Sequence, residues 1–99
     1  MIRHVISWKL IAEDPAEKDA AFAELAEGFG ALPHLIPEIK TLHLGRDIDY
    51  IEGNWDVVLI IDFATTADLD VYLAHPEHQK VVTVVRRLTD GRTAIDFEL

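Results

Sequence analysis

Apolar and polar positions alternate from residue 2 to residue 11, with Ile2, His4, Ile6, Trp8 and Leu10 on one face and Arg3, Val5, Ser7, Lys9 and Ile11 on the other. A period of two predicts a β-strand. Asp14-Pro15-Ala16-Glu17 then supplies an N-cap acceptor, a proline suited to the first helical position and a glutamate placed to close a capping box. Phe22, Leu25, Ala26, Phe29 and Leu32 follow at helical spacing. Gly28 and Gly30 weaken the last turn, which predicts that the helix frays or ends near Ala31. Leu32-Pro33-His34-Leu35-Ile36-Pro37 reads as a turn bracketed by prolines, with His34 on the surface.

The period of two returns over residues 39–45, a second strand, and residues 46–54 are polar enough for a long hairpin loop. Its carboxylates lack the spacing of an EF-hand, so a solvated loop is the expectation there. Residues 55–64 give the most informative strand. Trp55, Val57, Leu59, Ile61 and Phe63 share one face, while Val58 and Ile60 make the other apolar too. Thr65 or Thr66 caps a short helix whose inner edge is Leu69, Tyr72 and Leu73. Pro76 turns the chain after His75. Val81, Val84, Val85 and Leu88 keep helical spacing within a β-branched run, and the Arg86-Arg87 exit favours helix over strand. Asp90-Gly91 marks a turn before a closing strand over residues 93–99.

The order strand, helix, strand, strand, helix, strand is the ferredoxin-like βαββαβ arrangement, an α+β fold with a four-stranded antiparallel sheet and helices on one face. So few helices cover one side of the sheet, and the face bearing Val58 and Ile60 calls for a second copy of the chain as partner.

Composition narrows the function more than the fold. At 99 residues, 49% hydrophobic and 27% charged, the chain reads as a single folded domain over residues 1–99. Its formal charge of -9 opposes nucleic acid and anionic membrane surfaces as partners. There is no cysteine, hence no disulfide, thiolate ligand or cysteine nucleophile. The start lacks a signal-peptide pattern and no apolar run approaches the roughly 18 residues of a membrane span, so a cytoplasmic protein is expected.

The unusual chemistry gathers in Asp68-Leu69-Asp70-Val71-Tyr72-Leu73-Ala74-His75-Pro76-Glu77-His78. Tyr72 and His75 share a helix face, and Pro76 at the first turn of a new helix brings His78 into that turn. His75 and His78 make only a weak metal signal, and no third ligand follows from the spacing; neither a metal nor another cofactor is expected. His4 stands alone among apolar neighbours, which suits a core histidine bonded to a neighbour or a catalytic one.

Three stretches, Ile2-Arg3-His4-Val5 with Lys9, Tyr72-Leu73-Ala74-His75-Pro76-Glu77-His78, and Ile95-Asp96-Phe97-Glu98, resemble the stress-responsive A/B barrel (Dabb) family in order and over essentially the whole chain. The resemblance implies a dimeric α+β barrel, two copies closing sheet against sheet, and a helical 81–88. Plant members include a boiling-stable stress protein and a polyketide cyclase. In that cyclase the residues matching Tyr72 and His78 serve catalysis, and those matching His4 and Asp96 lie in or beside the pocket. Here Phe22 lies among alanines on the first helix and Trp8 adds a ring to the first strand, which argues against the same substrate.

The expected site therefore comprises His78 as base and Tyr72 as donor to a carbonyl oxygen, with His4, Asp96, Trp8, Phe22 and His75 about the ligand. Asp96 is expected to fix the His78 tautomer. A small hydrophobic carbonyl or aromatic compound fits such a pocket. A stress-related role without catalysis, a cyclase-like reaction and a dimeric-barrel monooxygenase all remain open, since a buried network of Tyr72, His78, His4 and Asp96 would also join helix to sheet.

Overall fold

The alternation in residues 2–11 becomes β1 (Ile2–Leu10), the strand on which the others are laid, in a computed structural model that describes residues 1–99. It is followed by α1 (Pro15–Leu35), β2 (Thr41–Arg46), β3 (Val57–Phe63), α2 (Thr66–Ala74), α3 (Pro76–Leu88) and β4 (Thr89–Glu98). The four strands form one antiparallel sheet in the order β2-β3-β1-β4. This is the ferredoxin-like α+β fold, with its helices on one face. None of the helices is long and apolar enough to cross a membrane.

The core lies between helices and sheet. His4, Ile6, Trp8 and Leu10 of β1 and Val57, Leu59, Ile61 and Phe63 of β3 are buried there. Ala21, Leu25, Phe29 and Leu32 of α1, Leu69 and Tyr72 of α2 and Val81 of α3 close over them. On the opposite face, cross-strand pairing sets Val5 between Ile60 and Ile95. Phe97 and Ile95 stay 43% and 67% exposed. Arg3 grips Asp62 on that face through two bonds of 2.8 and 2.9 Å, and the Thr41 hydroxyl donates to the same carboxylate. The Arg3 bond leads in holding the Asp62 carboxyl below the usual range.

Local capping follows the sequence closely. Asp14 accepts from the Glu17 N–H and Thr65 from the Asp68 N–H. Both are N-caps that satisfy donors the helix itself leaves free.

Three boundaries differ from the expectation. Helix α1 does not end near Ala31 but runs through Pro33, so Leu32–Leu35 is helix rather than turn. A proline within a helix removes a single donor, and burial of Leu32 and Ile36 draws the last turn into the core. Gly28 marks a close approach: a Cβ there would lie 3.3 Å from Val81 Cγ1. Strand β3 begins at Val57, because Asp56 is occupied elsewhere, while Trp55 remains 38% exposed. Helix α3 passes straight into β4 with no turn at Asp90-Gly91. Gly91 instead takes φ +126° where the β1 to β4 register shifts, a bulge that favours glycine.

Asp56 explains the ordered β2–β3 connection. Its buried carboxylate accepts the Leu10 N–H at 2.8 Å and meets Lys18 Nζ at 3.0 Å, tying the loop to β1 and α1. Asp47 accepts from the Asp49 N–H and the Asn54 amide, and Arg46 reaches Asp49 and Asp19. Asp56→Ala should therefore destabilise the fold by about 2 kcal/mol, since it leaves the buried Leu10 N–H without an acceptor. Urea unfolding at pH 7 and fixed protein concentration measures this; a loss under about 0.5 kcal/mol would remove Asp56 from the account.

Candidate functional site

The short α2 ends where Pro76 forbids continuation, and the corner that results does several jobs at once. His75 is both the last cap of α2 and the first of α3, its Nδ1 accepting the Glu77 N–H at 3.1 Å. Proline at the first position of α3 forfeits a donor that had no partner in any case. The Leu73 carbonyl, left free at the end of α2, accepts from Gln79 Nε2 at 2.7 Å and from His78 Nδ1 at 3.1 Å. That bond makes Nδ1 the protonated nitrogen of a neutral His78 and leaves Nε2 as an acceptor.

Tyr72 lies at the centre. Its ring stands 4.2 Å from that of His78, 5.2 Å from Phe63 and 6.2 Å, edge to face, from His4. The residue is wholly buried, yet its hydroxyl has no hydrogen-bond partner. His4 Nε2 and Trp8 Nε1 are likewise buried and unpartnered. Unpaired buried polar atoms are uncommon because each costs free energy. Here three of them fall within one region of the core.

Beside them opens a cavity of about 540 Å³ between the α2–α3 corner and the sheet. Trp8, Phe29, Ile6 and Leu59 form its apolar inner wall, with Trp8 stacked on Phe29 at 5.7 Å. Tyr72, His78, Gln79 and Thr89 add polar groups, and Val82, Val85, Arg86, Gly91 and Arg92 complete the side toward α3 and β4. The volume lies in the range of small-molecule sites.

Of the residues expected from the sequence, the fold brings Trp8, Tyr72 and His78 to the cavity wall. His4 sits behind Tyr72, and Asp96 is on the neighbouring strand. Asp96 does not orient His78. The strand register places it opposite His4, and it accepts a hydrogen bond from His4 Nδ1. Phe22 and His75 stand away from the cavity wall: Phe22 is half-buried on α1, and His75 is committed to capping. No three histidine, aspartate or glutamate side chains converge as metal ligands.

Sequence reasoning missed Gln79, Arg86, Gly91 and Arg92 as lining residues. Arg86 reads as a helix-end cation and Gly91 as a turn. Only the direct passage from α3 to β4 reveals that both face the same space.

Desolvation is the main influence on His78 and lowers its pKa, outweighing the bond to Leu73, while burial alone pushes the Tyr72 hydroxyl upward. Near neutral pH the site thus presents a neutral imidazole and a protonated phenol. The pair has the two capacities needed for moving a proton near a carbonyl, an acceptor nitrogen and a donor hydroxyl.

The sequence profile of the Stress Responsive A/B Barrel Domain family matches residues 2–99. Among solved structures, a dimeric ferredoxin-like protein of unknown function from Bacteroides fragilis is similar at TM-score 0.88 and 25% identity, over 99% of this chain and 95% of that one. Another dimeric protein of unknown function, from Thermobifida fusca, superposes at TM-score 0.79 and 25% identity, over 99% and 90% of the two chains. A hydroxynitrile lyase from Passiflora edulis shares the fold at TM-score 0.79 and 13% identity, over 97% and 90%. No curated protein matches the sequence.

A nitrogen that protonates less readily in the folded chain makes stability depend on pH. The unfolded chain binds the His78 proton more tightly, so this contribution is complete above the unfolded pKa near 6.5 and is lost as pH falls through the lower folded value. NMR titration should place His78 below an ordinary histidine. The urea midpoint should drop from pH 7 to pH 5, with a shallower decline in His78→Gln. An unchanged slope in that variant would exclude His78 as a source.

Proposed function

We propose, for a chain that belongs to the Stress Responsive A/B Barrel Domain family, a homodimer that binds a small hydrophobic carbonyl or aromatic compound between its helices and sheet. The observation that carries the ligand reading is the cavity of about 540 Å³ beside Tyr72 and Trp8, whose polar atoms are buried and unpartnered. Unpaired buried donors beside a cavity of this size support the reading, since such groups call for an explanation and an occupant that reorders the wall could supply the missing acceptor.

The dimer reading rests on the uncovered sheet face. Val5, Val58, Ile60, Ile95 and Phe97 share it, and the chain has no further element to lay over them. At about 25 cal/mol per Å² of apolar surface, covering these side chains in two copies contributes several kcal/mol. That is a large part of the roughly 5–15 kcal/mol that holds a small domain folded. The Bacteroides and Thermobifida proteins, described as dimeric, support the same assembly for this chain.

A second reading, acid–base catalysis of the cyclase kind, draws on one observation. His78 keeps Nε2 free as an acceptor 4.2 Å, ring to ring, from a protonated Tyr72. In such a reaction His78 takes a proton next to a carbonyl and Tyr72 donates to the oxygen that gains charge. The competing role for the same residues is structural: His78 closes the end of α2 by bonding Leu73, which serves a stress protein whose task is its own stable dimer.

Two experiments separate these readings. Light scattering should give twice the monomer mass for the unmodified chain and a monomer for Val58→Asp with Ile60→Asp; a monomeric unmodified chain at micromolar concentration removes the dimer. Melting shifts against β-polyketones and aromatic acids should be lost or at least halved in His78→Ala. Absence of any shift, together with a large loss of stability in that variant, favours the structural role.

A further inference from the structure

Nine lysines and arginines serve a chain with eighteen aspartates and glutamates. Most basic side chains accordingly have carboxylate partners: Arg3, Lys18, Arg46, Lys80 and Arg87 all do. Arg86 and Arg92 have neither an ion-pair nor a hydrogen-bond partner, and both line the same cavity. No aspartate or glutamate lines it with them. In so acidic a chain, two unpaired guanidiniums around a space free of carboxylates form a local reversal of sign.

Their positions follow from the fold. Arg86 is in the last turn of α3, while Arg92 pairs across strands with Trp8, whose side chain is on the helix-covered face. Neighbouring Arg87 turns away to bond Glu24 on α1. Cations at a helix C-terminus need no partner to be favourable, but that reason does not extend to Arg92 on the strand. Both arginines are exposed, whereas Trp8, Phe29, Leu59 and Tyr72 at the inner wall are buried. The cavity therefore grades from a cationic rim to an apolar inner wall, and two of the residues on that wall, Tyr72 and Trp8, carry buried polar atoms without a partner in the chain.

We propose that the occupant is an amphipathic monocarboxylate, an aryl or medium-chain organic acid, with its carboxylate at Arg86 and Arg92 and its apolar body against Trp8, Phe29 and Leu59. The proposal rests on the cavity being a ligand site, as argued above, and adds the charge and orientation of the ligand. Guanidinium groups suit this task because their planar donor array matches a carboxylate. An anion held at the rim leaves the body of the acid beside His78 and Tyr72.

Calorimetric titration with 4-phenylbutanoate and its neutral counterpart 4-phenylbutanamide tests this on the intact chain. The acid should bind once per chain and at least tenfold more tightly than the amide at low salt, with the preference shrinking as salt rises. Arg86→Gln combined with Arg92→Gln should bring the acid's affinity down to that of the amide and leave the amide unchanged. Because both side chains are exposed, an unaltered melting temperature is the expected check on folding. Equal affinity for acid and amide, or acid binding that survives the double substitution, overturns the charge assignment and leaves the cavity reading standing. Failure of both compounds to bind overturns the two together.

Discussion

Register in β1 is the constraint on which the other features depend. The strand lies between β3 and β4, so its residues from Ile2 to Trp8 each have two cross-strand neighbours and belong to one face or the other. A shift of one residue would send His4, Ile6, Trp8 and Leu10 to the open side and bring Arg3, Val5, Ser7 and Lys9 under the helices. Charged side chains would then stand where Leu59 and Ile61 now pack. The same shift would separate His4 from Asp96 and remove Trp8 from the cavity. One alternation of side chains thus serves the core, the uncovered face and the candidate site together.

Much of this was legible because it depends on local chemistry. Capping by Asp14 and Thr65, the break at Pro76 and the alternation in β1 and β3 are decided by a few neighbouring residues, and they appear as the sequence implies. The β-branched run after Lys80 was harder to place, since its residues suit strand as well as helix, and the flanking proline and arginines decided it. The extent of α1 was misjudged for another reason. Gly28 and Pro33 are poor helix residues in isolation, but tertiary packing overrides propensity: the glycine admits Val81, and burial of Leu32 and Ile36 holds the end in place.

The site was legible by residue type and less so by partnership. Tyr72, His78 and Trp8 stand out in the sequence and meet at the cavity, but nothing local says that Asp96 bonds His4 or that His78 bonds Leu73. Those pairings follow from strand register and from the geometry of the α2–α3 corner. Arg86 and Arg92 come to one cavity only through the passage of α3 into β4, and Asp56 and Asp62 each take their partners from distant parts of the chain. Long-range polar contacts have no periodicity to betray them.

Helix α3 runs into β4 without a connecting segment: the Thr89 N–H and hydroxyl both donate to the Val85 carbonyl. There is no slack between the roof of the cavity and the edge of the sheet. Any outward swing of α3 must be taken up at Leu88 and Thr89 or handed on to the bulge at Gly91, two residues along the same strand that carries Asp96. Roof and rim are therefore joined without a hinge of their own, and a displacement of the one has no route to the sheet except through the other.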